Sequence, residues 1–384
     1  MKQRIYLDSS ATTRVDERVV EAMLPCFREN YGNASSVHLF GQEARAIVEG
    51  ARRSVAGLLG ADTREIVFTS GGTESDNTAL WGIFRSGYRP GNHIITTRIE
   101  HPAILETCKA LESAGAEITY LPVGSSGKVD PEAVEAAVRG NTILISVMHA
   151  NNETGVIQPV AEISSLAKRH GILFHTDAVQ SVGKIPVNVQ DLGVDLLSIS
   201  GHKIHGPKGI GALYVRKGTR MAPFMTGGSQ ERKRRAGTEN VPAIAGLGAA
   251  ALLAGDRLPE MSTRVAELRD RLQDQAMARI AGTRINGQAL RLPNVANLSF
   301  ENLEGEAAVI ALDLEGIAVS TGSACSSGAL EPSHVLVAMG LRPEVVQSSL
   351  RFSLCCYTTQ EEIDRTVQTL EAVIQRLRKL SRRG

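Results

Sequence analysis

Aromatic side chains are scarce: Phe, Tyr and Trp make up 4% of the 384 residues, with one Trp. A base-stacking platform of interleaved aromatics is therefore not expected. An excess of charge is missing too, since 42 Lys and Arg face 41 Asp and Glu and leave a net +1. No global field draws the chain to nucleic acid or to an anionic membrane. The longest apolar run, 241–255 (VPAIAGLGAAALLAG), is too short for a bilayer span and suits a closely packed buried helix. The first ten residues, MKQRIYLDSS, lack the apolar stretch of a signal peptide. Five cysteines, an odd number without metal-knuckle spacing, argue against a disulfide framework. Together these absences predict a cytoplasmic protein with no nucleic acid and no membrane among its partners.

What is present is ordinary globular substance. Hydrophobic residues make up 42% and charged residues 22%, enough apolar mass for a sizeable core. A length of 384 residues corresponds to two or three structural units at about 150 each. Candidate strands lie at 65–69, 93–97, 117–121, 142–148, 172–176, 196–200 and 211–216. Helical patterns at 102–114, 131–138 and 160–170 fall between several of them. That alternation predicts an α/β fold with a mostly parallel sheet. After the polar loop 230–237 come the Ala/Gly helix and a charged helical stretch, 260–280. The pattern then runs strand (294–300), helix (304–314), strand (316–320), loop, strand (350–354) and helix (360–380). The expected division is a large domain of residues 13–256 and a smaller α/β domain of residues 1–12 and 257–384.

Four segments bear chemistry. In 70–77 (SGGTESDN), Gly71 and Gly72 permit a tight turn, and Thr73 opens a helix whose free N–H groups and positive dipole end suit a phosphate. No Lys-Ser/Thr follows, so this is not a Walker A loop, and no dinucleotide fingerprint follows the first strand. The plainer alternative is a helix start capped by Thr73 and Ser75. In 198–211 (SISGHKIHGPKGIG), Lys203 sits in a confined Gly- and His-rich turn, as an amine that forms a Schiff base requires. A metal reading of His202 and His205 finds no adjacent acidic ligand, so no metal site is expected. The alternative for Lys203 is an exposed loop lysine. In 175–180 (HTDAVQ), Asp177 ends a strand and points at the crevice where open α/β sheets bind ligands. There it suits a pyridine nitrogen that must stay protonated, or else merely caps a helix. In 320–332 (STGSACSSGALEP), Cys325 stands among small and polar residues, as an available thiol or an incidental one.

Together the segments GGTES, EHPA, HANNETG, HTDAVQ, SGHKIHGPKG, RRAGTEN and STGSACSSG closely resemble the pyridoxal-phosphate cysteine desulfurases of the class V aminotransferase family. Within that family the chain is similar to the nitrogen-fixation and iron–sulfur cluster group, from YLDSSATTRVD at Tyr6 to RFSLCCYTT at Arg351. The resemblance implies the aspartate-aminotransferase-like fold, PLP fold type I, and pyridoxal 5'-phosphate as cofactor. It implies Lys203 as the lysine that binds the cofactor, Asp177 at the pyridine nitrogen, Gln180 at the ring hydroxyl and His101 stacked on the ring. Thr73, Ser200, His202 and the backbone at Gly72 resemble the phosphate ligands. Asn151 is implied near the cofactor hydroxyl and the substrate. Thr238 resembles a phosphate ligand reaching in from a second copy, which implies a homodimer. Arg351 resembles the clamp on the substrate carboxylate, a task suited to its fork of donors.

The implied reaction converts L-cysteine to L-alanine, with Cys325 taking the sulfur as a persulfide. The loop 321–332 is long and resembles the branch with a mobile cysteine loop. An iron–sulfur scaffold or another sulfur acceptor is the implied partner, and a transient cluster-ligand role for Cys325 in such a complex stays open. Other reactions on this fold, transamination or selenocysteine lysis, are the alternatives, followed by a non-catalytic scaffold. Two departures from the family stand out: Asp8-Ser9-Ser10 where Asp-Asn is usual, and Cys355, beside Cys356, where Gly is usual. Arg351, Ser353 and Cys355 share a face if their strand extends that far.

Overall fold

The computed structural model describes residues 4–321 and 332–381, and Cys325 lies outside them. Strand β1 (Ile5–Tyr6) opens the chain. The next seven strands are β2 (Ile66–Thr69), β3 (His93–Thr97), β4 (Glu117–Leu121), β5 (Thr142–Ser146), β6 (Leu173–Asp177), β7 (Leu196–Ser200) and β8 (Gly211–Val215). They form one sheet in the order β2-β8-β7-β6-β5-β3-β4. Only β8 runs antiparallel to its neighbours, β2 and β7, so the sheet is mixed and mostly parallel. Every residue of β5, β6 and β7 is buried, because helices cover both faces. Double coverage removes the alternation of buried and exposed positions along these strands, so the Ser, Thr and His among their apolar residues are buried as well.

The expected strands agree with this sheet to within two residues, and the differences have local causes. Glu65 leaves β2 for a turn in which its side chain accepts the Asp62 N–H at 2.9 Å. Beyond Ser146 the chain still leans on β6, through Val147 N to His175 O and His149 N to Asp177 O, but the regular ladder has ended. Helices Pro102–Ser113 and Pro131–Ala136 start with proline behind a capping side chain, His101 and Asp130 respectively. The 21-residue helix Leu39–Leu59 is not among the expected elements. Its buried Ala44, Val48, Ala51, Val55 and Leu59 pack on helix Val241–Asp256. At Gly248 that contact is backbone-close, since an added Cβ would lie 2.6 Å from Ala51 Cα.

A second core lies in the C-terminal third. Strands β9 (Thr283–Ile285), β10 (Val295–Phe300) and β12 (Ser349–Ser353) form an antiparallel sheet with β10 in the middle. Strand β11 (Ile317–Ala318) pairs in parallel with β1, which brings Ile5 and Leu7 into this core. Ile363, Val367, Leu370 and Ile374 of helix Gln360–Ser381 cover it at helical spacing. The charged stretch expected as one helix is divided: Leu258–Glu260, one wide π turn over Met261–Val265, then Ala266–Arg279. Strand β12 stops at Ser353, so Cys355 lies in the turn beyond it and the shared strand face with Arg351 does not extend that far. Among the described residues no single helix is long and apolar enough to cross a membrane.

The Gly248 contact predicts that Gly248→Val overpacks the two helices and destabilises the apo protein by about 1–3 kcal/mol. Chemical denaturation should show an earlier midpoint, whereas Gly57→Val, at a position with open space, should cost less.

Candidate active site

The carboxyl ends of the parallel strands open into one crevice, and most of the expected residues line it. Asp177 is the last residue of β6, and its carboxylate accepts the Val179 N–H at 2.9 Å. Strand β7 ends at Ser200 and leads into a single 3-10 turn, Gly201–Lys203. Strand β2 leads through Ser70 and Gly71 into helix Gly72–Phe84, whose N-terminus has no side-chain cap. Gly72 meets the other two strand ends: an added Cβ would lie 2.8 Å from Val179 Cγ2 and 3.6 Å from Ser200 Cβ. Thr73 is exposed at the same helix start.

The N-terminal segment crosses this crevice as a strap. Lys203 Nζ donates to Ser10 O at 2.5 Å and Ala11 O at 2.6 Å. Gln180 Nε2 also donates to Ser10 O, at 3.0 Å, while its buried Oε1 has no hydrogen-bond partner. His202 Nδ1 lies 3.1 Å from Thr12 Oγ1, and burial, reinforced by Lys203, pushes its pKa down to about 4. His101 Nδ1 accepts the Ala103 N–H at 3.1 Å, which leaves its proton on Nε2. Burial and then the Lys203 charge lower its pKa to about 4, so the ring is neutral at physiological pH.

Arg351 comes from β12, where its backbone pairs with Ser320. Its buried guanidinium donates to Asp8 Oδ1 at 2.8 Å and Asn152 O at 3.1 Å. Asn151 is fully buried and already engaged: Nδ2 donates to Ile99 O, and Oδ1 accepts the Glu153 and Thr154 N–H groups. Thr238 lies exposed on the polar loop before helix Val241–Asp256.

Sequence reasoning left several buried ionisable groups unassigned. His175 sits behind Asp177, with Nδ1 2.9 Å from Ser146 Oγ, Nε2 3.0 Å from Ser198 Oγ and 3.6 Å from Asp76 Oδ1. Burial drives His175 down to about 3 and raises Asp76 well above its usual range, with the Asp177 charge adding to the Asp76 shift. Asp177 is itself raised to about 6 by burial, opposed by the Val179 N–H and by Lys203. Two carboxylates in one dry hub do not both ionise easily, so Asp76 holds a proton while Asp177 bears the charge. Lys184, Cys355 and Cys356 share a cavity of about 20 Å³ with His205 and Lys203. Burial takes Lys184 down to about 7 and Cys356 up to about 11. His205 donates Nδ1–H to Arg14 O, leaving Nε2 to face the Cys356 thiol at 3.6 Å. Cys356 is thus a protonated packing thiol, not an activated nucleophile.

The donor set fits pyridoxal phosphate. The buried Asp177 carboxylate feels the charge of the half-buried Lys203, an uncapped 13-residue helix N-terminus stands beside Ser200, and Gln180 Oε1 is a buried acceptor without a partner. Asp177, Gln180, Lys203, His101, Gly72, Thr73, Ser200 and His202 would hold it.

Comparison with known proteins gives the same direction. The Aminotransferase class-V family profile matches residues 5–366. A cysteine desulfurase IscS of Dictyoglomus turgidum is 53% identical over 382 residues, spanning 99% of this chain and 97% of that protein. A cysteine desulfurase of a Nostoc species is 52% identical over 378 residues, 98% of this chain and 94% of that protein. A solved NifS-like protein superposes with a TM-score of 0.91 at 42% identity, covering 97% of this chain and 100% of that one.

The Asp177 geometry generates a pH prediction for the apo protein. Asp177 loses its negative charge as pH falls through about 6, and with it the attraction for a protonated pyridine nitrogen. Cofactor affinity of the parent should exceed that of Asp177→Asn by about 10- to 100-fold at pH 8. Fluorescence titration should find that the gap narrows below about pH 6.

Proposed function

The chain belongs to the class-V aminotransferases and, among them, to the pyridoxal-phosphate cysteine desulfurases, and we propose that Lys203, Asp177, His101, Arg351 and Cys325 carry its conversion of L-cysteine to L-alanine. The observation that supports these assignments most is the placement of Asp177 at the end of β6 and of Lys203 in the turn after the adjacent parallel β7, with an uncapped helix N-terminus beside Ser200.

When bound, pyridoxal phosphate supplies an electron sink for the carbon next to the substrate amine. Asp177 keeps a proton on the pyridine nitrogen, and Asp76 and His175 behind it stay neutral so that its charge is not opposed. Gln180 orients the ring hydroxyl. Gly72 N–H, Thr73, Ser200 and His202 bind the phosphate, and Thr238 reaches the phosphate of a second copy in a homodimer. Arg351 orients the substrate through its carboxylate, with Asn151 shaping the turn beside it. The Lys203 amine removes the α-proton, and neutral His101, with its proton on Nε2, stacks on the ring and takes part in proton transfer. The Cys325 thiolate attacks the substrate sulfur: a sulfur–sulfur bond forms, the carbon–sulfur bond breaks with its electron pair left on the carbon fragment, protonation of that fragment gives L-alanine, and a persulfide stays on Cys325.

We further propose that residues 13–256 form the cofactor-holding domain, and that residues 1–12 and 257–384 form the domain that presents Cys325. The persulfide sulfur passes to an iron–sulfur scaffold or another acceptor protein in the cytoplasm. Neither a resident metal, a nucleic acid nor a membrane has a part in this reading.

Three variants test the assignments. Lys203→Ala should lower cysteine turnover by at least about 1,000-fold and abolish the yellow colour of the bound cofactor. Cys325→Ser should retain cofactor and cysteine binding yet form no persulfide, as read by mass spectrometry after a single turnover. Replacing Cys355 and Cys356 together with Ser should leave the rate within about three-fold of the parent. A persulfide found on either of these would move the nucleophile away from Cys325.

A further inference from the structure

Arg351 is only 3% exposed, so its guanidinium needs an internal counter-charge. Asp8 provides it, 343 positions away in sequence, through one hydrogen bond to Nη2. Nη1 is taken by Asn152 O, and the buried Nε has no hydrogen-bond partner. Other arginines of this protein use the Nε–Nη2 edge as a complete fork: Arg64 grips both oxygens of Asp62, and Arg271 both oxygens of Asp364. At Arg351 the fork is half-filled, with an unsatisfied buried donor beside a monodentate carboxylate.

We infer that Asp8 is a specificity-determining residue, a resident carboxylate that holds half of the Arg351 fork and yields it to the carboxylate of the substrate. The inference rests on the reading of Arg351 as the substrate clamp. Exchange of one carboxylate for another leaves the buried guanidinium neutralised throughout, so no unpaired charge is created. The incoming carboxylate takes Nη2 and also the idle Nε, gaining a charge-assisted hydrogen bond that Asp8 does not make. The Asp8 side chain is 19% exposed and has a route to water once displaced. An amine without a carboxylate finds the fork already occupied and gains nothing there, which is discrimination by competition.

The backbone of Asp8 does not depend on its carboxylate. Asp8 O accepts the Ala11 N–H at 3.0 Å and the Tyr6 hydroxyl at 3.1 Å, while Ser9 N donates to Ser353 O at 3.0 Å. Asp8→Asn therefore keeps the strap in place and removes only the competing charge.

The test uses the holoenzyme and propionate, a carboxylate that cannot react with the cofactor. Its dissociation constant is measured by ligand-observed NMR for the parent, Asp8→Asn, Arg351→Lys and the double variant, with cofactor absorbance recorded for each. Asp8→Asn should bind propionate about 10-fold more tightly than the parent with unchanged absorbance. That gain should vanish in the Arg351→Lys background, and affinity for cysteamine, which lacks a carboxylate, should not move. Equal or weaker propionate binding by Asp8→Asn would overturn the inference, as would a gain that persists without Arg351. If Arg351→Lys alone leaves both propionate binding and the KM for cysteine at parental values, the clamp reading fails, and the inference falls with it for a distinguishable reason.

Discussion

A stretch of bare backbone crossing the interior must find a partner for every polar group it buries, and here that constraint organises the site. The strap from Leu7 to Thr13 leaves the second core and reaches the main sheet. Along it, Asp8 meets Arg351, Ser9 N meets Ser353 O, Ser10 O meets Gln180 and Lys203, and Thr13 N meets His202 O. The strap's backbone is thus paired partly with backbone carbonyls at Ser353 and His202 and partly with the proposed site side chains Gln180 and Lys203. One segment thereby sets the relation between Lys203, in the turn after β7, and the proposed carboxylate clamp, which sits on β12. Strand β1, by pairing with β11 and burying Ile5, anchors the strap at its origin.

Burial of ionisable groups is the second theme. Asp76, Glu100, His175, Asp177 and Lys184 lie inside the protein, and each is shifted toward its neutral form. Such shifts oppose folding of the charged forms and cluster where chemistry needs them. The folded pKa of Asp177, about 6, lies above the ordinary carboxylate value, so its contribution to stability falls as pH rises toward 6. The protein tolerates this cost in exchange for a dry anion at the crevice. Glu100 shows how the hub is kept satisfied, accepting Thr97 Oγ1 at 2.7 Å and the Met148 N–H at 3.0 Å beneath His101.

Much of the fold was legible in the sequence because short β-rich segments alternate with helical patterns, and 93–97, 117–121 and 196–200 coincide with β3, β4 and β7. Helix Leu39–Leu59 went unread although its apolar spacing is regular. The interruption at Met261–Val265 was not read from the charged stretch 260–280; within this π turn Arg264 donates to Thr358 O at 2.7 Å, a contact across the fold. Cofactor-site residues were legible as motifs at strand ends, where local sequence and position coincide. The partners Asp8, Asp76 and Lys184 were not, because their importance arises from contacts across the fold. A face shared by Arg351 and Cys355 required β12 to continue, but the strand ends at Ser353, and Cys355 lines the small cavity with Lys184.

One amine holds the cofactor, and two stand close to the site, the half-buried Lys203 and the buried Lys184. Lys203 and Lys184 line the same small cavity, and Lys184, with its pKa pushed down to about 7, is the only chemically plausible rival among the described residues there. Reduction of the holoenzyme with borohydride, followed by proteolysis and mass spectrometry, fixes the attachment point covalently. The account predicts the reduced phosphopyridoxyl group on the peptide containing Lys203 alone. Its appearance on Lys184, or its absence from both, would contradict the central claim.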